Sequence, residues 1–189
     1  PIVSSLTPAD GATGVALSTH VVLTFNEQIQ RGSGFIYLRS DSPYGAVVEK
    51  FSINDSNRVS ISGTKLTIDP TNNLAADTEY FITFGSGVIQ DTAGNSFAGT
   101  SSYGFRTIDT VSPVVSSFSP TDNATGVSVG SNIVLTFNEP IQPGLGNIYL
   151  RLGSAYGIRV ESYSITSSSR VSIYGKTLTI DPTNDLVGD

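Results

Sequence analysis

Residues 21–27, VVLTFNE, alternate between apolar and small polar side chains, with Val21, Leu23 and Phe25 on one side and Val22, Thr24 and Asn26 on the other. A period of two marks a strand with one buried face; a helix would scatter the same residues around its axis. Similar short segments surround it. Residues 2–6, 35–39, 47–53, 58–62 and 65–69 read as strands, separated by turn residues at Pro8, Asp10 and Gly11, by Gly32 and Gly34, and by Ser62, Gly63 and Thr64, which form a tight hairpin. Residues 74–84, LAADTEYFITF, put Tyr80 just after a turn at the start of a strand. That is the place of a tyrosine corner, in which the phenol bonds to the backbone of the incoming loop. A last strand covers 103–107. No segment carries a helical period, so the pattern predicts seven or eight short strands and an all-β unit.

The unit is written twice. Adding 112 to any position from 1 to 77 reaches its counterpart in 113–189 without a gap, and 46 of these 77 pairs are identical. Identities gather in PxVSS, ATGV, VLTFNE, IYLR, RVSI and LTIDPTN, the expected strands and turns, which is the signature of a duplicated structural unit. The expected organisation is one repeat over 1–108 and a second over 109–189, with a linker around 108–113 stiffened by the fixed backbone dihedral of Pro113. The second repeat reaches Asp189, the counterpart of Asp77, so nothing in the chain matches 78–107. It is therefore expected to be an incomplete sandwich with an open edge, a surface that invites pairing with another strand.

The ordered set LTPADGATGV, LTFNE, KLTIDPTNNLAADTEYFITF, IQDTAGNSFAG and a closing FRT resembles the bacterial Ig-like domain of the S-layer (SbsA) type. The resemblance covers the whole first repeat and the second as far as it runs. It implies tandem antiparallel Ig-like Greek-key β-sandwiches, used as modules of large surface, S-layer or adhesin proteins, and hence an extracellular, cell-surface or secreted location. The partners it implies are neighbouring Ig-like modules of the same protein. Identical chains paired through the open edge, as in a self-assembling filament, and surface glycans or proteins bound by an adhesin module are the alternatives, as is an accessory domain beside a secreted enzyme.

Composition narrows the chemistry. Ten Lys and Arg against 16 Asp and Glu give a net charge of −6, a poor match for a phosphate backbone, so nucleic-acid binding is not expected. No apolar run approaches the roughly 18 residues needed to span a bilayer. The absence of cysteine removes disulfides and thiolate metal sites. The chain opens on Pro1 and has no methionine, as expected for a processed or excised piece.

Catalysis finds no motif. His20 is the single histidine and its counterpart is Asn132; no serine sits in a GxSxG elbow, and the carboxylates fall in turns and strand ends. They suit a hard cation better, since calcium collects six to eight oxygens from carboxylates, amides and carbonyls. In an Ig-like sandwich the loop after the second strand and the loop before the last share one end, which would bring together Asn26, Glu27, Asp91 and Asn95. The duplicate offers Asn138 and Glu139. Asp109, in IDTVSP, resembles the Asp-x-x-x-Pro junctions of calcium-rigidified adhesins. Glu27, Asp91, Asn95, Asp109 and Glu139 are thus the candidate calcium ligands, against a simpler expectation that Asp91 and Asn95 cap their own loop around Gly94. Asp10, Asp122, Asp69 and Asp181 are expected to stabilise turns. Tyr37 and Tyr149, with Tyr44 and Tyr156, recur at equal places and form either a sugar-stacking platform or the covering of an outer sheet face.

Overall fold

Val21, Leu23 and Phe25 are buried while Val22 and Thr24 between them are half-buried, so the alternation of the central strand sets its inward face. The computed structural model describes residues 1–54 and 57–183. They form strands and turns without a helix, in two units, Pro1–Thr110 and Val111–Asp189.

The described residues of the first unit form eleven strands: β1 (Val3–Thr7), β2 (Ala12–Val15), β3 (Val21–Phe25), β4 (Ile29–Arg31), β5 (Phe35–Ser40), β6 (Val47–Ser52), β7 (Val59–Ser62), β8 (Lys65–Ile68), β9 (Glu79–Phe84), β10 (Ile89–Asp91) and β11 (Thr100–Thr107). Two sheets, ordered β1-β3-β8-β7 and β2-β11-β9-β5-β6, make the sandwich, and β4 pairs with β10 in a small third one. Ile36 and Leu38 of β5, Leu66 and Ile68 of β8, Tyr80, Ile82 and Phe84 of β9 and Phe105 of β11 join the β3 residues in one buried cluster. Each large side chain removed from water contributes about 1.5–3 kcal/mol toward the ordering cost of the strands.

Three of these strands exceed the sequence expectation. β2, β4 and β10 are three or four residues long, too short to show a period. The pairing is also not wholly antiparallel, because β2 runs parallel to β11, with Ala12 opposite Phe105 and Val15 opposite Thr107.

Tyr80 forms the expected corner: its hydroxyl accepts a 2.9 Å bond from the Ala75 N–H, and its ring is buried. Tyr80→Phe keeps the ring and deletes the acceptor, so a loss of about 1 kcal/mol is expected, read as a lower urea midpoint at unchanged slope. An unchanged midpoint would show that water replaces the phenol at Ala75.

The second unit has β12 (Val115–Ser119), β13 (Ile133–Phe137), β14 (Asn147–Leu152), β15 (Ile158–Ser164), β16 (Val171–Tyr174) and β17 (Thr177–Ile180). They build one sheet ordered β12-β13-β17-β16 and the pair β14-β15, the counterparts of β1-β3-β8-β7 and β5-β6. Irregularities are copied too. The register shift between Val3 and Ser5 returns between Val115 and Ser117, and at both places a serine hydroxyl, Ser4 or Ser116, donates to the facing threonine carbonyl at 3.0 or 2.9 Å. This explains why the VSS motif survives duplication.

Candidate functional site

The chain enters the first unit through β1 and β2 and leaves it after β11, and β2 is held directly against β11. Gly11, at φ 71°, turns the chain from the Pro8–Asp10 loop into β2 and donates its N–H to the Gly104 carbonyl at 2.8 Å. At the other end the Ile108 N–H donates to the Val15 carbonyl at 2.8 Å. Two side chains extend the pairing beyond β2: the Tyr103 hydroxyl donates to the Pro8 carbonyl at 2.7 Å, and Asp10 Oδ1 accepts the Gly104 N–H at 3.0 Å. Burial, with the Asp10 charge second, pushes the Tyr103 phenol up, which keeps it protonated and donating. Thr107, buried and polar, is satisfied by donating to the Ala75 carbonyl at 2.7 Å and accepting from the Thr78 N–H at 3.0 Å.

Because the two strands are parallel, the incoming end of β2 and the outgoing end of β11 lie at opposite ends of the pair. Tension between them acts along the strands and loads the bonds together. An antiparallel hairpin pulled from its open end surrenders its bonds one at a time. Pro8, Asp10, Tyr103 and Gly104 therefore lie in the pair that tension applied across β2 and β11 would load. Only the Asp10 turn was legible in the sequence. Its reach to β11 was not.

Two of the candidate calcium ligands, Asp91 and Asn95, are bonded to each other within one loop. Asp91 is buried and accepts from the Ala93 N–H at 2.9 Å, the Asn95 N–H at 2.8 Å and Asn95 Nδ2 at 2.7 Å. The DTAGN loop thus closes on its own carboxylate. The Asn26 amide oxygen accepts the Ile2 N–H at 2.8 Å, and Asn138 does the same for Val114 at 2.7 Å. The asparagine of LTFNE pins the first strand of each unit. Asp109 belongs to the first unit and Glu139 to the second. Among the described residues no three His, Asp or Glu side chains gather as a metal would need.

Asp69 and Asp181 do more than shape a turn: each accepts from an arginine, Arg58 at 3.0 Å and Arg170 at 2.7 Å. His20 Nδ1 sits 2.9 Å from the other Asp69 oxygen, and the Thr19 hydroxyl donates to the carbonyl of His20 at 3.3 Å rather than to its ring. The cleft beside them, about 390 Å³, is lined by polar groups without a nucleophile set against the imidazole. On the outer sheet face, Lys50 Nζ stands 3.6 Å from the Phe35 ring centre and the Arg39 guanidinium 5.1 Å from that of Tyr37; in the second unit Arg151 and Arg159 each lie 5.5 Å from Tyr149. Cations face the rings on which a sugar would stack. Tyr44 and Tyr156 stand exposed on the following loops.

The Arg58 hydrogen bond, with His20 adding to it, holds the Asp69 carboxyl below its ordinary value of 3.8, and Asn95 does the same for Asp91. A carboxyl whose pKa falls on folding contributes stability that is fully present above the unfolded value and lost as pH drops through the folded one. Urea midpoints of the first unit are therefore expected to stay level from neutrality to about pH 5 and to decline only through and below the ordinary carboxyl range. Asp91→Asn should flatten that decline; one already under way at pH 6 would contradict it.

A comparison with curated proteins gives no match. The sequence model of the bacterial Ig-like domain matches residues 1–107 and again residues 109–189. With the two-sheet architecture and the copied strands, this places the chain in the bacterial Ig-like domain family.

Proposed function

We propose that the chain is a non-catalytic, load-bearing spacer of a large bacterial surface or secreted protein, of the kind that builds an S-layer or an adhesin stalk. Bacterial Ig-like domains are typically non-catalytic modules of surface proteins, which supports the general class. The observation that carries the mechanical reading is the parallel β2–β11 pair, sealed at both ends by 2.8 Å backbone bonds and flanked by Tyr103 and Asp10. Modules in series are useful as a spacer only if each resists extension through its own ends, and this pairing opposes that extension directly.

Stretched between its ends in single-molecule force spectroscopy, the chain is expected to lose the second unit first, because the described residues there contain no such pair. The first unit should yield last and at higher force. Release of both units at the same low force would overturn the reading.

Calcium is not required by this design. The Asp91 oxygens already take three N–H donors, and a cation would have to displace them. The melting temperature of the first unit is expected to be the same in millimolar calcium and in chelator. A rise with calcium that disappears in Glu27→Ala would instead establish a metal at that end of the sandwich.

A further inference from the structure

Along β5 the side chains alternate, Ile36 and Leu38 into the core and Phe35, Tyr37 and Arg39 onto the outer sheet face. Arg39 lies 5.1 Å from the Tyr37 ring centre. Lys50, opposite Tyr37 on β6, stands 3.6 Å from the Phe35 ring centre and 5.9 Å from that of Tyr37. The second unit repeats this face. Tyr149 and Arg151 are the counterparts of Tyr37 and Arg39, and Arg151 and Arg159 each lie 5.5 Å from Tyr149. The second cation has changed place, since Lys50 has become Ser162 and Arg159 stands where the first unit has Val47. An arginine and one further cation at a tyrosine are thus present in both units, although duplication copied only the arginine and the tyrosine.

The charge of this face is unbalanced within the chain. Among the described residues the arginines that ion-pair with carboxylates are Arg58, Arg106 and Arg170, none of them here. Arg151 sits directly opposite Arg159, and like charges so placed work against the strand pair. A bound anion would remove that repulsion. The copied arginine is also held in position: Arg39 Nη1 donates to the Gly45 carbonyl and Arg151 Nη1 to the Gly157 carbonyl, both at 2.9 Å, and Arg39 Nε donates to Thr83 Oγ1 at 3.1 Å. These bonds occupy only part of each guanidinium, whose remaining N–H donors have the fork geometry that suits a carboxylate. Tyr44 and Tyr156 immediately precede those two glycines and are 88% and 97% exposed, and among the described residues no cation covers their rings.

We propose that the outer face of the β5–β6 hairpin, and likewise that of β14–β15, binds an acidic polysaccharide. Arg39 with Lys50, and Arg151 with Arg159, take the carboxylate of a uronic acid, and Tyr44 or Tyr156 packs on the apolar face of a sugar beside it. A neutral glycan would leave the cations without a counter-charge. A nucleic acid brings a phosphate about every 3.4 Å of strand against a chain of net charge −6, whereas an acidic glycan brings at most one carboxylate per sugar and meets less repulsion. In the first unit β9 lies along β5, with Thr83 opposite Tyr37, and the patch still faces outward. The inference does not rest on the spacer reading, which concerns the β2–β11 pair.

The test uses the full 189-residue chain and a short fluorescent oligogalacturonate. Saturable binding by anisotropy is expected, weakening as salt is raised and lost with the methyl-esterified oligomer, which keeps the sugars and removes the charge. Arg39→Gln together with Arg151→Gln should weaken binding about tenfold or more. Arg58→Gln together with Arg170→Gln, which removes the same charge from one ion pair in each unit, should weaken it much less. No saturation, equal binding of the methyl ester, equal binding of an oligothymidylate, or equal losses in the two double variants would overturn the proposal, the last two by showing a response to charge alone. As a second measurement independent of any substitution, amide chemical shifts of the unaltered chain should move on titration at residues 37–50 and 149–160. Shifts confined to other strands would overturn it as well.

Discussion

Phe105→Ala is expected to destabilise the first unit by about 3–5 kcal/mol and to leave the second unit untouched. The ring is 1% exposed and packs between Tyr80, at 6.1 Å between centres, and Tyr103, at 6.3 Å. Both neighbours are tied down, Tyr80 by Ala75 and Tyr103 by Pro8, so neither can swing in to fill the space. The cost should therefore fall at the upper part of the range for large-to-small changes. Against a total of about 5–15 kcal/mol for a domain, this removes much of the first unit's stability. Calorimetry should show one transition moving down by many degrees and the other unmoved. A loss below about 1 kcal/mol would mean that the core closes around the gap and that β11 is not the keystone inferred here.

Gly32→Ala and its counterpart Gly144→Ala should have opposite fates. A Cβ on Gly32 would stand 1.9 Å from the Gly87 carbonyl oxygen, a backbone atom held in place by the Ser33 N–H at 3.0 Å. The chain there can accommodate a methyl only by separating the β4 and β10 strands, so a loss of about 1–3 kcal/mol is expected. A Cβ on Gly144 meets nothing within 4 Å, and Gly144→Ala should be neutral or slightly stabilising through the unfolded chain. The pair is informative because both glycines stand in IQxGxG and only Gly32 has backbone packed against it. Equal effects at both positions would show that local backbone conformation, not the β10 contact, selects the glycine.

Those two glycines also show what can be read from the chain and what cannot. Alternation located β3, β5, β8 and β9 because each buries one face, and the tyrosine corner was legible because Tyr80 combines a turn, an apolar ring and a hydroxyl that needs a partner. The sequence ATGV was not legible as a strand. Over Ala12–Val15 it is one, beside β11; over 124–127 the same four residues form none. Strand identity at that place is conferred by the partner rather than by propensity. The hydrogen bonding at the candidate site was hidden for a related reason. Asp91, Asn95 and Glu27 have metal-ligand chemistry, but only the fold shows that the Asp91 oxygens are turned onto amides of its own loop. Asp10, read as a turn former, acts on the neighbouring strand at a residue 94 positions away, a distance no local pattern conveys.

The most direct test of a load-bearing first unit is the dependence of its unfolding force on pulling direction. In one arrangement the full chain is held through Ala9→Cys, just before β2, and residue 110, which loads the parallel β2–β11 pair along its length. In the other it is held through Ser33→Cys and Asn54→Cys, at the open end of the β5–β6 hairpin where Phe35 faces Ser52, which peels antiparallel bonds in turn. The expected result is a clearly higher force for the first arrangement, lowered by Asp10→Ala and Tyr103→Phe together. Equal forces in both directions, or a first arrangement insensitive to that double substitution, would contradict it.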